Sequence, residues 1–246
     1  MHIFKKNSFG QYLIIKKLLI RIIGFISHYR FKYTLKINGS KHIIELPNKN
    51  VLFISNHQTY FADGIAILQM LNATINGRID SIRNVNYLWQ PKTNIYFIAA
   101  KETMNNGIIP KILSYTGSIS VERTWREKGR DISRNINIKD VSNVSKALKD
   151  GWLITFPQGT TNAWAPIRKG TAHIIKENKP IVIPIILDGF RRSFDKTGLK
   201  IKKKGALQKM VIKKPMKINY NASIEDITKD ISLAIEQDES LRVIKK

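Results

Sequence analysis

His57 follows a nearly all-apolar run at 51–55, and Asp63 lies six positions further on. A carboxylate that accepts a ring N–H fixes the imidazole tautomer and leaves the other nitrogen to take a proton from a hydroxyl. The same two residues would also arise as an Asp63 capping a helix beside an unrelated polar loop, and the pair alone does not choose. Phe156-Pro157-Gln158-Gly159-Thr160-Thr161 ends a second apolar run with a proline, a glycine and two hydroxyls. Such a turn can aim backbone N–H groups at a phosphate or an oxyanion, or it can be a plain strand-to-loop turn. Arg123 and Arg168-Lys169 are cations suited to a phosphate, in a chain that has many others. His2, His28, His42 and His173 have no comparable partner and read as structural or surface residues.

These residues need elements to position them. Apolar runs at 51–55, 95–100, 118–121, 152–156 and 181–187 read as buried strands, and Leu35 and Ile37 alternate with polar residues in a strand closed by Asn38-Gly39. Between them, helical patterns occupy 64–71, 108–115, 140–150 and 169–177, while 72–94 reads as a loop with one short element. The lysine-studded stretch 191–218 reads as a hairpin, and Ser223 with Asp226 three residues on reads as a capping box that opens a last helix. Strands alternating with helices predict an α/β fold, a single αβα sandwich around a largely parallel sheet. In open sheets of this kind the functional residues gather at the carboxyl ends of strands. That rule picks out Asn56-His57, Lys101-Glu102, Glu122-Arg123, residues 157–161 and Asp188.

Ahead of this domain, residues 9–31 form an amphipathic segment. Ile15, Leu18, Leu19, Ile22 and Ile26 fall on one helical face, and Lys17, Arg21, Gly24 and His28 on another. This divides the chain into a segment 1–32 that docks on a membrane surface and a domain 33–246. An ordinary surface helix packed on its own domain would show the same pattern. No run approaches the roughly 18 apolar residues of a spanning helix, and Lys16, Lys17 and Arg21 interrupt any signal-peptide core. The expected location is therefore peripheral, at the cytoplasmic face of a membrane.

Composition narrows the choice further. The 246 residues are 43% hydrophobic and 24% charged, which is globular rather than disordered. Forty-two Lys and Arg against eighteen Asp and Glu leave a net charge of +24. That charge suits nucleic acid, an anionic membrane or an acidic protein, and it also follows from the Lys, Ile and Asn usage of an AT-rich genome. The basic-aromatic motifs of common nucleic-acid modules are missing, so no nucleic-acid partner is expected. With no cysteine, a thiol nucleophile, a disulfide scaffold and a Cys-ligated metal are excluded.

Taken in order, these pieces resemble the glycerophospholipid acyltransferase family. Its first block, Asn-His and then an Asp, is here Asn56-His57 with Asp63; its second, Gly-x-Ile and then an Arg, is Gly117-Ser118-Ile119 with Arg123. The third, Phe-Pro-Glu-Gly-Thr-Arg, is Phe156 to Thr161, and the fourth, an apolar strand with an internal proline, is Ile181-Val182-Ile183-Pro184-Ile185. Lys101-Glu102 and Arg168-Lys169-Gly170 match supporting positions, and the likeness covers roughly residues 35–190.

The resemblance implies an acyl transfer in which His57, oriented by Asp63, is general base for an acceptor hydroxyl that attacks an acyl thioester directly. Asn56, Lys101, Arg123, Gln158, Gly159, Thr160, Arg168 and Lys169 would bind substrate, with groups near Gly159 at the oxyanion and Arg123 and Arg168-Lys169 at an acceptor phosphate. No metal or cofactor is implied; acyl-CoA or acyl carrier protein is the co-substrate and a lysophospholipid-like molecule the acceptor. The chain departs from the pattern in having five residues between His57 and Asp63 where the family has four, Gln158 in place of Glu, and Thr161 in place of Arg. The last two positions belong to acceptor binding in the family, which leaves the acceptor headgroup open.

Overall fold

A computed structural model describes residues 5–105, 107–122, 126–127, 130–131 and 137–242. In chain order the strands are β1 (Leu35–Asn38), β2 (Val51–Ser55), β3 (Ile95–Ala100), β4 (Ser118–Val121), β5 (Arg126–Glu127), β6 (Arg130–Asp131), β7 (Trp152–Thr155), β8 (Ile181–Asp188) and β9 (Gln208–Ile212). The helices are α1 (Leu13–Phe31), α2 (Ala62–Ile75), α3 (Lys101–Met104), α4 (Ile108–Ser114), α5 (Ile138–Asp150), α6 (Lys169–Asn178), α7 (Phe190–Ser193) and α8 (Ile224–Ala234). Seven strands form one sheet in the order β1-β9-β8-β2-β7-β3-β4, and β5 pairs with β6 in a separate ribbon. Within the sheet every pairing is parallel except β8 with β9.

The central strands are apolar throughout because each of their faces meets a core. Val51 and Phe53, Trp152 and Ile154, and Ile183 and Ile185 point to one side, where Ala66, Ile67, Met70 and Leu71 of α2 pack with Phe190 and Phe194. Leu52 and Ile54, Leu153 and Val182 point to the other, against Val144 and Leu148 of α5, Ile175 of α6 and Ile231 of α8. The result is the three-layer α/β sandwich that the sequence predicts. Each fully buried Leu or Ile contributes about 1.5–3 kcal/mol.

Three regions differ from the sequence-based expectation. The stretch 191–218 is not a hairpin: it holds α7, an isolated bridge between Phe194 and Ile201, and β9, which joins the main sheet between β1 and β8. Gln208, Met210 and Ile212 alternate as buried residues, so this strand finds its partners in the sheet rather than within its own segment. Within 72–94, α2 runs on to Ile75, and a 3-10 turn at Val85–Trp89 buries Tyr87 and Leu88.

The third difference concerns α1, whose buried face is Lys16, Ile20, Gly24, Ser27, His28 and Phe31. Small groups let it sit close: a Cβ on Gly24 would lie 2.8 Å from Leu88 Cδ2, and Gln69 Nε2 donates to Gly24 O at 3.2 Å and to Ser27 Oγ. The stripe of Ile15, Leu18, Ile22 and Ile26 faces outward, 43–63% exposed. Among the described residues no helix is long and apolar enough to cross a membrane. Lys16 is wholly buried beneath the sheet, its Nζ 4.3 Å from the Tyr96 ring centroid, and no hydrogen-bond partner for Nζ is found among the described residues. Burial pushes its pKa down to about 7, an effect that the charge of Asp150 partly opposes.

Candidate active site

β2 delivers the first block to the carboxyl edge of the sheet. Asn56 is buried, its Nδ2 donating to Leu187 O at 2.8 Å and its Oδ1 accepting from Leu187 N–H at 2.7 Å. The side chain thereby extends the β2–β8 ladder by one residue. Both ends of the carboxamide are engaged by main chain, so Asn56 positions its neighbour His57 and offers no free group to a substrate, a correction to its expected role.

His57 Nδ1 lies 3.0 Å from Oδ2 of Asp63, which is in the first turn of α2 and fully buried. The Asp63 carboxylate also accepts from Thr59 N–H at 3.0 Å, from Thr59 Oγ1 at 2.6 Å and from Gln58 N–H. With donors on every side the carboxylate acts as acceptor only, so Nδ1 carries the hydrogen and Nε2 is the basic nitrogen. The longer His-to-Asp spacing is absorbed here: the chain from Gln58 to Phe61 folds around the carboxylate before α2 begins. On its other side the imidazole stacks on Phe156, with ring centroids 3.9 Å apart and planes at 17°.

Two contacts brace this loop from a distance. Gln58 Nε2 donates to Leu187 O at 2.9 Å, and its Oε1 accepts from Phe190 N–H at 2.9 Å. Tyr60 N–H and Phe61 N–H donate to Lys196 O and Thr197 O at 3.1 and 2.9 Å. Gly198, at φ +79°, closes that contact; a Cβ there would lie 2.5 Å from Ala62 N, so no other residue fits.

The third block folds as a tight turn in which Gly159 N–H donates to Phe156 O at 2.9 Å. That N–H is therefore committed within the turn and is not available to an oxyanion. Gln158 points away from the cavity and is almost wholly buried; its Nε2 donates to Ala165 O at 2.9 Å and to Gln237 Oε1 at 3.2 Å. The turn places position 158 on the core side, so Gln158 anchors the loop 159–168 instead of meeting substrate, as the sequence reading expects. Thr160 remains at the cavity wall. Arg168 N–H donates to Pro157 O at 2.9 Å, which brings the start of α6 beside the turn.

Of the expected cations, Lys169 pairs with Glu225 at 2.5 Å and Lys101 with Glu122 at 3.1 Å. Arg168 lines the cavity, and Arg123 lies outside the described residues. The sequence reading missed Gln58, Thr59, Phe156 and Arg191. Arg191 Nη2 donates to His57 O at 3.2 Å and to Thr161 O, joining the two loops. Burial lowers its pKa from the usual arginine value, while the charge of Asp63 opposes the change. Thr59 had a local signal, since the residues preceding a first-turn Asp can turn their donors onto it. Arg191 had none, since its partners are remote in sequence.

A cavity of about 760 Å³ opens along this edge of the sheet, with His57 in its wall. On the α2 and α4 side the lining is apolar, including Phe61, Ile65, Leu68, Phe97, Met104 and Leu113. On the α5 and α6 side it includes Asp140, Arg168, Lys169, His173 and Glu177. An apolar wall suits a hydrocarbon chain, and the polar wall suits the charged part of an amphiphile.

A family model described as Acyltransferase matches residues 34–188, the span that holds His57, Asp63 and the Phe156–Thr161 turn. A search of curated proteins finds no match. Among solved structures, the crystal structure of the 1-acyl-sn-glycerophosphate (LPA) acyltransferase PlsC from Thermotoga maritima is similar. Its TM-score is 0.53 at 16% identity, over 95% of this chain and 82% of that one. At that identity the likeness is one of fold.

Proposed function

Because the chain belongs to the acyltransferase family, we propose that it moves a fatty acyl group from an acyl thioester to a hydroxyl of a lysophospholipid-like acceptor, such as 1-acylglycerol-3-phosphate. The observation that carries this reading is the His57–Asp63 pair, with Nδ1 held at 3.0 Å and the ring set in the wall of a half-apolar cavity. Nε2 takes the proton of the acceptor hydroxyl as its oxygen attacks the thioester carbonyl. The C–S bond breaks, and the departing sulfur takes the proton back from the imidazolium. With no cysteine in the chain, direct transfer needs no acyl-thiol enzyme intermediate.

Phe61, Leu68, Phe97 and Leu113 would take the acyl chain, and Arg168 with Lys169 the charged end of a substrate. Either coenzyme A or acyl carrier protein would serve as donor; the net charge of +24 suits the acidic carrier. The outward stripe of α1, bordered by Lys17 and Lys32, would dock the protein peripherally on an anionic membrane at its cytoplasmic face. The same stripe supports a second reading, a family member that only binds anionic lipid.

Acceptor-dependent thiol release separates the two. Palmitoyl-coenzyme A and palmitoyl-acyl carrier protein are each supplied with a panel of lysolipids, and His57→Ala is run alongside. Removal of the base lowers the rate about 10²–10⁴-fold under the first reading. Release no greater than that of the variant, with every donor and acceptor, would overturn it and leave lipid binding as the function.

A further inference from the structure

We propose that Arg191 is an anion-binding residue of the acceptor site, holding a phosphate monoester beside the hydroxyl that His57 deprotonates. The proposal deepens the reading of His57 as base and rests on it. Arg191 comes from α7, beyond the 34–188 span that the family model matches.

A guanidinium has five N–H donors in a rigid fork. Arg191 engages one nitrogen, Nη2, on two main-chain carbonyls, His57 O at 3.2 Å and Thr161 O. Its Nε and Nη1 groups have no hydrogen-bond partner among the described residues, and no carboxylate there lies within ion-pair distance of it. The neighbouring Arg192, by contrast, pairs with Asp188 at 3.1 Å. Asp63 is close enough for its charge to be felt, but its oxygens are already occupied by His57, Gln58 and Thr59.

A half-buried cation fixed on carbonyls, with donors left over and no counter-charge, is arranged to receive one. The two carbonyls also fix where that anion goes. One belongs to the base itself, so an oxyanion on Arg191 lies within a few bonds of a hydroxyl at Nε2, as a phosphate on the neighbouring carbon of a glycerol backbone requires. The other belongs to Thr161, the position at which the resembling family carries arginine. The guanidinium missing from position 161 is returned in space from position 191. Lys169 is a weaker candidate for the same task, because Glu225 already balances its charge.

The test is equilibrium binding, which does not depend on turnover. The full chain is titrated with short-chain lysophosphatidate and with the matching monoacylglycerol, which lacks the phosphate. Wild type is expected to favour the phosphate-bearing probe. Arg191→Gln should bind it about 10–100-fold more weakly, the loss of a charge-assisted fork, with the monoacylglycerol unchanged. Thr161→Arg added to Arg191→Gln should recover most of the preference. His57→Ala should bind both probes as wild type does, so absence of turnover would count against the base and not against Arg191. No phosphate preference in wild type, or a folded Arg191→Gln that weakens both probes equally or neither, overturns the proposal. Should Arg191→Gln not fold, Arg191→Lys, which keeps the charge and loses the fork, decides by the same comparison and is expected to fall between.

Discussion

Asp63 and Lys16 are both fully buried charges, and they lie at opposite ends of the sheet. Asp63 stands at the carboxyl edge, where the loop from His57 to Thr59 turns four donors onto one carboxylate. Lys16 lies beneath the start of β3, its Nζ over Tyr96 and close to Gly117, with only the ring face and the distant charge of Asp150 to offset burial. The first charge is solvated by the protein; the second is tolerated. Dipoles fixed around a charge keep it in place while its partner imidazole works, whereas Lys16 fills space mainly with its methylene stem.

The sharpest test of this contrast is Asp63→Asn. An amide nitrogen would face a cluster of donors, so a destabilisation of about 3 kcal/mol is expected, with a rate loss of about 10²-fold or more as the imidazole tautomer is released. Urea unfolding and single-turnover thiol release check the two effects separately, and a variant of unchanged stability would break the comparison.

Next in size, and opposite in sign, is Lys16→Met, expected to stabilise the fold by about 1–4 kcal/mol at neutral pH and below. The folded pKa near 7 lies under the ordinary 10.5. Between those values the unfolded chain binds more protons, and wild-type stability rises with pH. The advantage of the variant should therefore shrink as pH climbs from 7 toward 10.5, which melting curves across that range would show; an equal gain at every pH would mean that packing, not charge, sets the effect.

The smallest effect is expected at Lys169. Its pair with Glu225 has side chains 65% and 66% exposed. Lys169→Gln should change stability by less than about 1 kcal/mol and raise the acceptor KM only a few-fold, less at high salt. Melting temperature and KM at two ionic strengths measure it.

Much of the scaffold was legible because it is local. β2, β3 and β4 appear as apolar runs bounded by polar residues, and the His57–Asp63 pair needed only the rule that strand ends carry chemistry. What escaped depends on contacts remote in sequence. Nothing near residue 58 announces that Gln58 will bridge to Phe190, and nothing near 191 announces His57 and Thr161. The lysines of 191–218 hid the alternation of Gln208, Met210 and Ile212 that makes β9 a sheet strand. For α1 the helical period was plain but its orientation was not. The buried face is set by what Gly24 and Ser27 allow Leu88 and Gln69 to reach, and the largest apolar residues stay outside.

The place of β9 between β1 and β8 also bears on how the protein is made. β1 has no partner in the sheet until residues 208–211 have been synthesised, and β8 keeps an open edge for as long. The braces on the base, from Phe190, Lys196 and Thr197, are equally late. A nascent chain that has completed every motif through Pro184 therefore still carries an unfinished sheet edge and a base that nothing holds from behind. Such edges invite pairing with other chains. The last fifth of the chain, without contributing to any of the four motif blocks, is what turns a partly folded and association-prone intermediate into a working molecule.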